Sequence, residues 1–527
     1  MKKSLLLLIT ILILLSCKKR EETIRWNIDV IAPAVNGELS IYDILPDSVL
    51  TSDMDSSVSM SLGLNLFRLN LDSLVAIPDT SLLDTFALPF PFPVAVAPGQ
   101  VFINQPEDNT INIGSAELIY VEIKSGTINY QLKSTIQGKI IYEYQIPVAI
   151  DANGNSFSQL VYVAAAEPGM TASTSGSFDL SGYSINLSGS SENSFNIIQT
   201  NVNIKVDPTN ATDVSASNQD TVYIRNELSN IKIDYAKGYF GNQSYAIGPE
   251  RASLTAFNNL ISGNLNIDQI DVDLELINGI GADASIAFNS FTASNNNNNS
   301  EIALNHSIIG NNININRANE IGPTIYPYYY TTVLNNSNSN IDLMLELLPD
   351  SIGYALSLEL NPLGNVSAHN DFISSDAPME LNMDIQLPLN IIANNLTLAD
   401  TLNIDISDTT GLHSAMLNIN LENGFPLEAQ IDFILLDQNN MVVSHILSPT
   451  LVPSAAVDGN GFVSAISSST HQLTLNQKDF KTLIQNKKIV LKIIFNTPTS
   501  SDHIEIYDYY TFKFNVVANF EYGVEIE

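Results

Sequence analysis

"LENGFPLEAQIDF", residues 421–433, reads as a strand, a tight turn and a second strand. Leu421 closes an alternating run with Leu417 and Ile419. Asn423-Gly424 suits the positive-φ positions of a hairpin turn. Ala429, Ile431 and Phe433 then take every second place, as in a strand with one buried face. The same plan occurs twice more, in "LKSTIQGKIIYEY" (132–144) and "LINGIGADASIAF" (276–288). Overlaid without gaps, Leu132, Leu276 and Leu421 open the three segments, and Ile136, Ile280 and Phe425 fall in the turn. Ile140, Ala284 and Ala429 follow, then Tyr142, Ile286 and Ile431, then Tyr144, Phe288 and Phe433. The copies are offset by 144 and 145 residues. A supersecondary unit that recurs at a fixed interval marks a repeated module. Each copy is therefore read as a β-hairpin of a sandwich.

Period-two runs dominate elsewhere. Val58, Met60, Leu62, Leu64 and Leu66 alternate with polar or small residues, and so do Tyr510, Phe512, Phe514 and Val516. Helical patterns are short, with candidates at 41–45, 396–402 and 476–485. The expected fold is all-β, a tandem array of β-sandwich domains with few short helices. Proline-rich "FALPFPFPVAVAPG" (86–99) is expected to cross in extended or polyproline form. "SNNNNNS" (294–300) is read as a polar loop that buries nothing. The expected divisions are a signal peptide over 1–16, a lipidated cysteine and charged tether over 17–22, and an N-terminal β region over 23–115. Sandwich repeats follow at 116–225, 226–320 and 408–527, with a further β region at 321–407.

The 527 residues carry 56 acidic and 22 basic side chains. Five basic residues lie before Glu21, so the remainder holds 17 against 56, a net −39. Such a body repels nucleic acid, which needs basic surface for its phosphates. It also repels anionic lipid headgroups. No nucleotide loop, zinc-protease motif or nucleophile elbow is present, and no two of the six histidines lie within four residues of each other. The chain is therefore read as a non-enzyme. "DANGNS" (151–156) places Asp151, Asn153 and Asn155 as candidate calcium ligands. The glycine falls at the fourth rather than the sixth position, and no glutamate closes the loop. A turn built of the residues turns prefer is the favoured alternative, as it is for "DQNN" (437–440) and "DGNG" (458–461). Tyr326, Tyr328, Tyr329 and Tyr330 are candidate ligand or glycan contacts, although tyrosine is also a favoured strand residue.

At the start of the chain, Lys2 and Lys3 precede an apolar run from Leu5 to Leu15, which ends in Leu14-Leu15-Ser16-Cys17. The run is too short to span a bilayer. It resembles the lipobox of bacterial lipoproteins. That resemblance implies cleavage between Ser16 and Cys17 and a diacylglyceryl group with a further acyl chain such as palmitate on Cys17; beyond that lipid and the calcium candidates above, no cofactor is expected. Cys17 is the chain's one cysteine, so no intramolecular disulfide competes for it. Lys18 stands where an inner-membrane retention signal has Asp, and Lys18 to Glu22 resembles the export signals of Bacteroidota-type surface lipoproteins. The implied address is the outer membrane, with the cell surface favoured over the periplasmic face.

"NINLENGFPLEAQIDFILLD" (418–437) is also similar to the signature region of the LEA-2/WHy family. That resemblance implies a small β-sandwich and brings no enzymatic activity to carry over. The expected role is a non-catalytic, lipid-anchored envelope protein, either a binding protein or the accessory subunit of an outer-membrane assembly. The alternatives are a glycan- or ligand-binding surface lipoprotein and a lipid carrier with an enclosed apolar cavity.

Overall fold

The structure is a computed structural model that describes residues 24–88, 90–403, 412–486, 488–499 and 502–526. It is nearly all β, as expected, with about 61% strand and 6% helix. Twenty-four strands carry the architecture. Three come first: β1 (Ile24–Ser40), β2 (Val58–Leu69) and β3 (Thr80–Ala87). The remaining strands form three successive sets of seven. The first set is β4 (Val101–Thr110), β5 (Glu117–Ser134), β6 (Ile140–Ile150), β7 (Ser156–Val163), β8 (Ala172–Asp179), β9 (Ile197–Val206) and β10 (Thr221–Tyr239). The second set is β11 (Gln243–Ser253), β12 (Asp271–Asn278), β13 (Ala284–Asn295), β14 (Asn312–Ile315), β15 (Tyr328–Asn335), β16 (Ser351–Leu360) and β17 (Met379–Pro388). The third set is β18 (Asn390–Asn403), β19 (Leu412–Asn423), β20 (Glu428–Leu436), β21 (Val442–Val452), β22 (Ser467–Thr474), β23 (Lys488–Asn496) and β24 (Thr511–Ile526).

Pairing is antiparallel and follows one scheme in every set. The second strand lies between the fifth and the last, as in β8-β5-β10, β15-β12-β17 and β22-β19-β24. This is the front sheet. The back half holds the other four strands, ordered first-sixth-third-fourth: β4-β9-β6-β7, β11-β16-β13-β14 and β18-β23-β20-β21; in the first module the short strand Ser184–Asn186 pairs with both β5 and β6 and joins the two halves into one sheet. Each front sheet is completed by one of the three early strands. β3 joins β10, β2 joins β17 and β1 joins β24. The early strands are thus shared out, one to each module, in reverse order. The units defined by pairing run 101–239, 243–388 and 390–526, each with one strand from 24–87. Composition and turn signals gave other divisions, because they carry no record of which distant strands pair.

The repeated segments are not hairpins. In each copy the two strands lie in opposite halves of a sandwich and do not pair with each other; the turn between them arches across the core. The side chain just before the arch holds it. Asn423 Oδ1 accepts from Phe425 N at 3.0 Å, and its Nδ2 donates to Leu427 O and Pro453 O at 2.7 and 2.9 Å. Asn278 does the same, to Ile280 N at 2.9 Å and to Ala282 O and Asn316 O at 3.3 and 2.8 Å. In the first module Ser134 Oγ accepts from Ile136 N at 3.1 Å. The arch carbonyls of Ile136, Ile280 and Phe425 accept from Ala166, Ala318 and Ala455, each at 2.9 Å.

Gly279 and Gly424 are outside the left-handed region, contrary to the hairpin reading. Gly424 donates to Thr511 O, and a Cβ there would lie 2.8 Å from that oxygen. Glycine is needed because the last strand comes so close, not because of φ. All fifteen aligned apolar positions are at most 2% exposed, so the overlay located the core even though it misread the turn.

Two local expectations change. Residues 396–402 belong to β18 rather than a helix. Leu396, Ala399 and Leu402 fit a helical spacing, but Leu396, Leu398 and Leu402 also fit alternation, and pairing with β23 decides. Within "SNNNNNS", Asn295 is buried and donates to Leu347 O and Leu348 O, both at 2.9 Å. An amide can be buried where two carbonyls receive it. Helices at Ile41–Ile44 and Gln477–Asn486 match the reading.

Module two touches both neighbours. Its strand Asp371–Ser374 pairs with β10, and His369 Nε2 meets Glu117 Oε2 at 2.6 Å. On the other side, residues 262–267 pair with β18, and His503 Nε2 bonds Asn266 Oδ1 at 2.8 Å. Near the first junction Asp371 is 1% exposed. Arg317 Nη2 reaches its Oδ1 at 3.2 Å, and Asn361 Nδ2 its Oδ2 at 2.8 Å. Arg317→Met strands this carboxylate and is expected to cost about 3–5 kcal/mol. Denaturant unfolding checks it; a loss below about 1 kcal/mol would show the pair to be dispensable.

Candidate functional site

Ser16 and Cys17 lie outside the described residues, which begin with β1 at Ile24. The tyrosine cluster divides between two environments. Tyr328 and Tyr330 on β15 pack against the core, while Tyr326 and Tyr329 are 52% and 56% exposed. Alternation along β15 sends Tyr329 to the face opposite Tyr328 and Tyr330, and Tyr326 lies on a separate short strand, Thr324–Tyr326, so the four rings make no common platform.

Asp151 sits in the turn between β6 and β7. Its Oδ1 accepts from Asn153 N and Asn155 N at 2.9 and 2.8 Å, and its Oδ2 accepts from Asn155 Nδ2 at 3.1 Å. The bond from Asn155 N comes first in holding this carboxyl below the usual carboxylate range. Asp437 and Asp458 organise their turns in the same way, with Oδ1 accepting from the second and fourth residues onward. These oxygens serve as turn acceptors. Among the described residues, no three of His, Cys, Asp and Glu converge to hold a metal ion.

Among the described residues, three histidines meet either a carboxylate or a hydroxyl. His369 bonds Glu117, His445 Nδ1 bonds Asp432 at 2.9 Å, and His471 Nε2 bonds Ser469 Oγ at 2.5 Å. A nucleophilic triad needs one histidine between hydroxyl and carboxylate. Among the described residues the hydrogen bonds do not assemble one.

Open grooves lie on the outside of the modules. One of about 640 Å³ covers the third front sheet, over Asn36, Glu38, Asn420, Glu422, Thr470 and Lys513. Another of about 510 Å³ covers the first front sheet, over Ser81, Leu83, Gln131, Lys133, Tyr223 and Arg225. A third, of about 700 Å³, lies by the second junction and includes His503, Glu505 and Tyr507. Burial, then the bond it donates to Glu505 Oε2 at 2.8 Å, pushes the Tyr507 phenol up to about 12. On the front faces, cross-strand rows join residues far apart in the chain. Asn65 Nδ2 donates to Asn382 Oδ1 at 2.8 Å in module two, and Thr470 Oγ1 to Asn420 Oδ1 at 3.1 Å in module three. Sequence reading missed these rows. The alternation that places each residue outward was visible, but nothing local tells which distant strand lies beside it.

The chain matches no protein-family profile and no curated protein. Among solved structures it is similar to a Parabacteroides distasonis protein inferred to be secreted, at 12% identity and a TM-score of 0.26 over 94% of this chain and 99% of that one. It is also similar to the VP2 subviral particle of infectious bursal disease virus, at 10% identity and a TM-score of 0.10 over 92% and 86%.

Proposed function

We propose that the chain is a non-catalytic lipoprotein of the outer membrane, anchored through Cys17 and facing the cell surface, that acts as a binding protein or accessory subunit of a membrane assembly. The observation that carries this reading is the order in which the early strands are taken up. The strand that follows the lipobox-like segment completes the third module, the next completes the second and the next the first. The chain then returns through the modules in sequence order. On this reading the lipid lies next to module three and module one is held farthest from the bilayer, where a partner can reach it. The net −39 of the body supports the same picture, since it stands off anionic headgroups. Lipid carriage finds less support, because the apolar cavity inside module two is about 10 Å³, roughly one water and far short of an acyl chain.

One acyl chain binds a membrane only marginally, while two or more hold stably. Cys17→Ala is therefore expected to abolish incorporation of a fatty-acid analogue and move the chain from the membrane pellet to the soluble fraction. Retained label on the variant, or a soluble unlabelled wild-type protein, would overturn the reading.

A further inference from the structure

We propose that the outer face of the first module's front sheet, formed by β3, β10, β5 and β8, docks an acidic protein partner. This deepens the function proposed above and rests on it. The three front sheets supply an internal comparison, because their registers are equivalent. Ser134, Asn278 and Asn423 mark the same place, opposite Val222, Met379 and Phe512. In the three outward rows before that place, module two carries Arg68 against Glu275, Asp273, Glu380 and Asp384, a net −3. Module three carries Lys513 against Glu38 and Glu422, a net −1. Module one carries Lys133 and Arg225 against Glu227, a net +1. A body short of basic residues has placed two of them on one face, at positions where its sister modules carry no basic residue: Ile277 and Glu422 stand for Lys133, and Asn382 and Asn515 for Arg225.

The same face exposes apolar surface. Leu83, directly opposite Arg225, is 71% exposed, and Tyr223, in the next outward row, is 45% exposed. Arg225 is held in place by Ser81 Oγ at 3.2 Å and Glu227 Oε2 at 3.5 Å. Tyrosine and arginine beside an aliphatic residue are typical anchors of protein interfaces. Exposed leucine favours a protein over an anionic polysaccharide, which has little aliphatic surface to cover it. Four strands give a face about 19 Å wide. The Debye length is about 8 Å at physiological salt, so an arriving partner senses this face more than the acidic remainder of the chain.

The test places a photo-crosslinking benzoylphenylalanine in the lipidated full chain at Tyr223, and separately at the equivalent positions Glu380 and Lys513, in outer membranes. The expected result is an adduct from position 223 at least about tenfold stronger than from the other two. Its protein component should have an excess of acidic residues, and Lys133→Glu with Arg225→Glu should abolish it. With purified chain, poly-L-glutamate binding should fall about tenfold on the same charge reversal, while heparin binds more weakly than poly-L-glutamate. Unchanged circular dichroism and melting show the variant to be folded; if it is not, Lys133→Gln with Arg225→Gln takes its place. Equal adducts at all three positions, no adduct at 223, an adduct to polysaccharide or lipid, or one that survives charge reversal would overturn the docking face. A chain that stays lipid-labelled and membrane-bound without an adduct at 223 sinks this proposal alone, whereas an unlabelled soluble chain sinks the anchoring.

Discussion

Asn423→Ala is expected to destabilise the third module by about 3–5 kcal/mol. The amide is fully buried and closes three hydrogen bonds, to Phe425 N, Leu427 O and Pro453 O. Alanine removes all of them and leaves no water access for the stranded groups. Each buried polar group left unsatisfied costs about 1–3 kcal/mol, and the two carbonyls are expected to fall at the low end. Asn278→Ala should do the same to module two. Ser134→Ala should cost only about 1 kcal/mol, since that hydroxyl closes the one arch bond to Ile136 N. Asn153→Ala, at an exposed turn, serves as the control and should stay within about 0.5 kcal/mol. Denaturant unfolding with amide hydrogen exchange reads the effect module by module. If Asn423→Ala and Asn153→Ala cost the same, the arch is not held by its amide.

Deleting residues 24–40 from the soluble chain is expected to unfold the third module while leaving the first intact. β1 pairs with β24 from Ile24↔Ile526 to Ser40↔Thr511 and packs Val35 and Leu39 against the core. Gly37 gives room to the Phe514 ring, which a Cβ there would meet at 2.2 Å. Without β1, β24 becomes an open edge and loses the backbone partners along its length. The expected loss is comparable to the stability of a whole domain, about 5–15 kcal/mol. Hydrogen exchange should show lost protection in β19, β22 and β24 with β5 and β10 unchanged. Protection retained in β24 would show that module three does not depend on the early strand. Uniform loss across all three modules would show instead that they fold as one cooperative unit.

The two experiments probe the features that separate what could be read locally from what could not. Period-two alternation marked the strands, and the overlay of 132–144, 276–288 and 421–433 found fifteen core positions without a miss. The same overlay took Asn423-Gly424 for a hairpin turn. Asn-Gly favours tight turns as a dipeptide, but here the asparagine is spent on carbonyls up to 30 residues away, and the glycine on the approach of Thr511. The tyrosine run looked like a cluster in the sequence, yet strand geometry splits it between core and solvent. The early region looked like a domain of its own because its strands are contiguous. Their partners are between about 130 and 500 residues away.

The sequence by itself determined the all-β class, the threefold repetition and the inward-facing residues. These are local properties: the pleat fixes side-chain alternation, and apolar side chains must leave water wherever the strands end up. Only the tertiary structure decided that the turns are arches, that β1, β2 and β3 are shared among the modules, and that Lys133, Arg225, Leu83 and Tyr223 share one face. Strand partnership is set by backbone hydrogen bonds, which are the same for every residue type. The chain therefore spells out which face of a strand is buried, and leaves its neighbour to be settled by the packing of the whole.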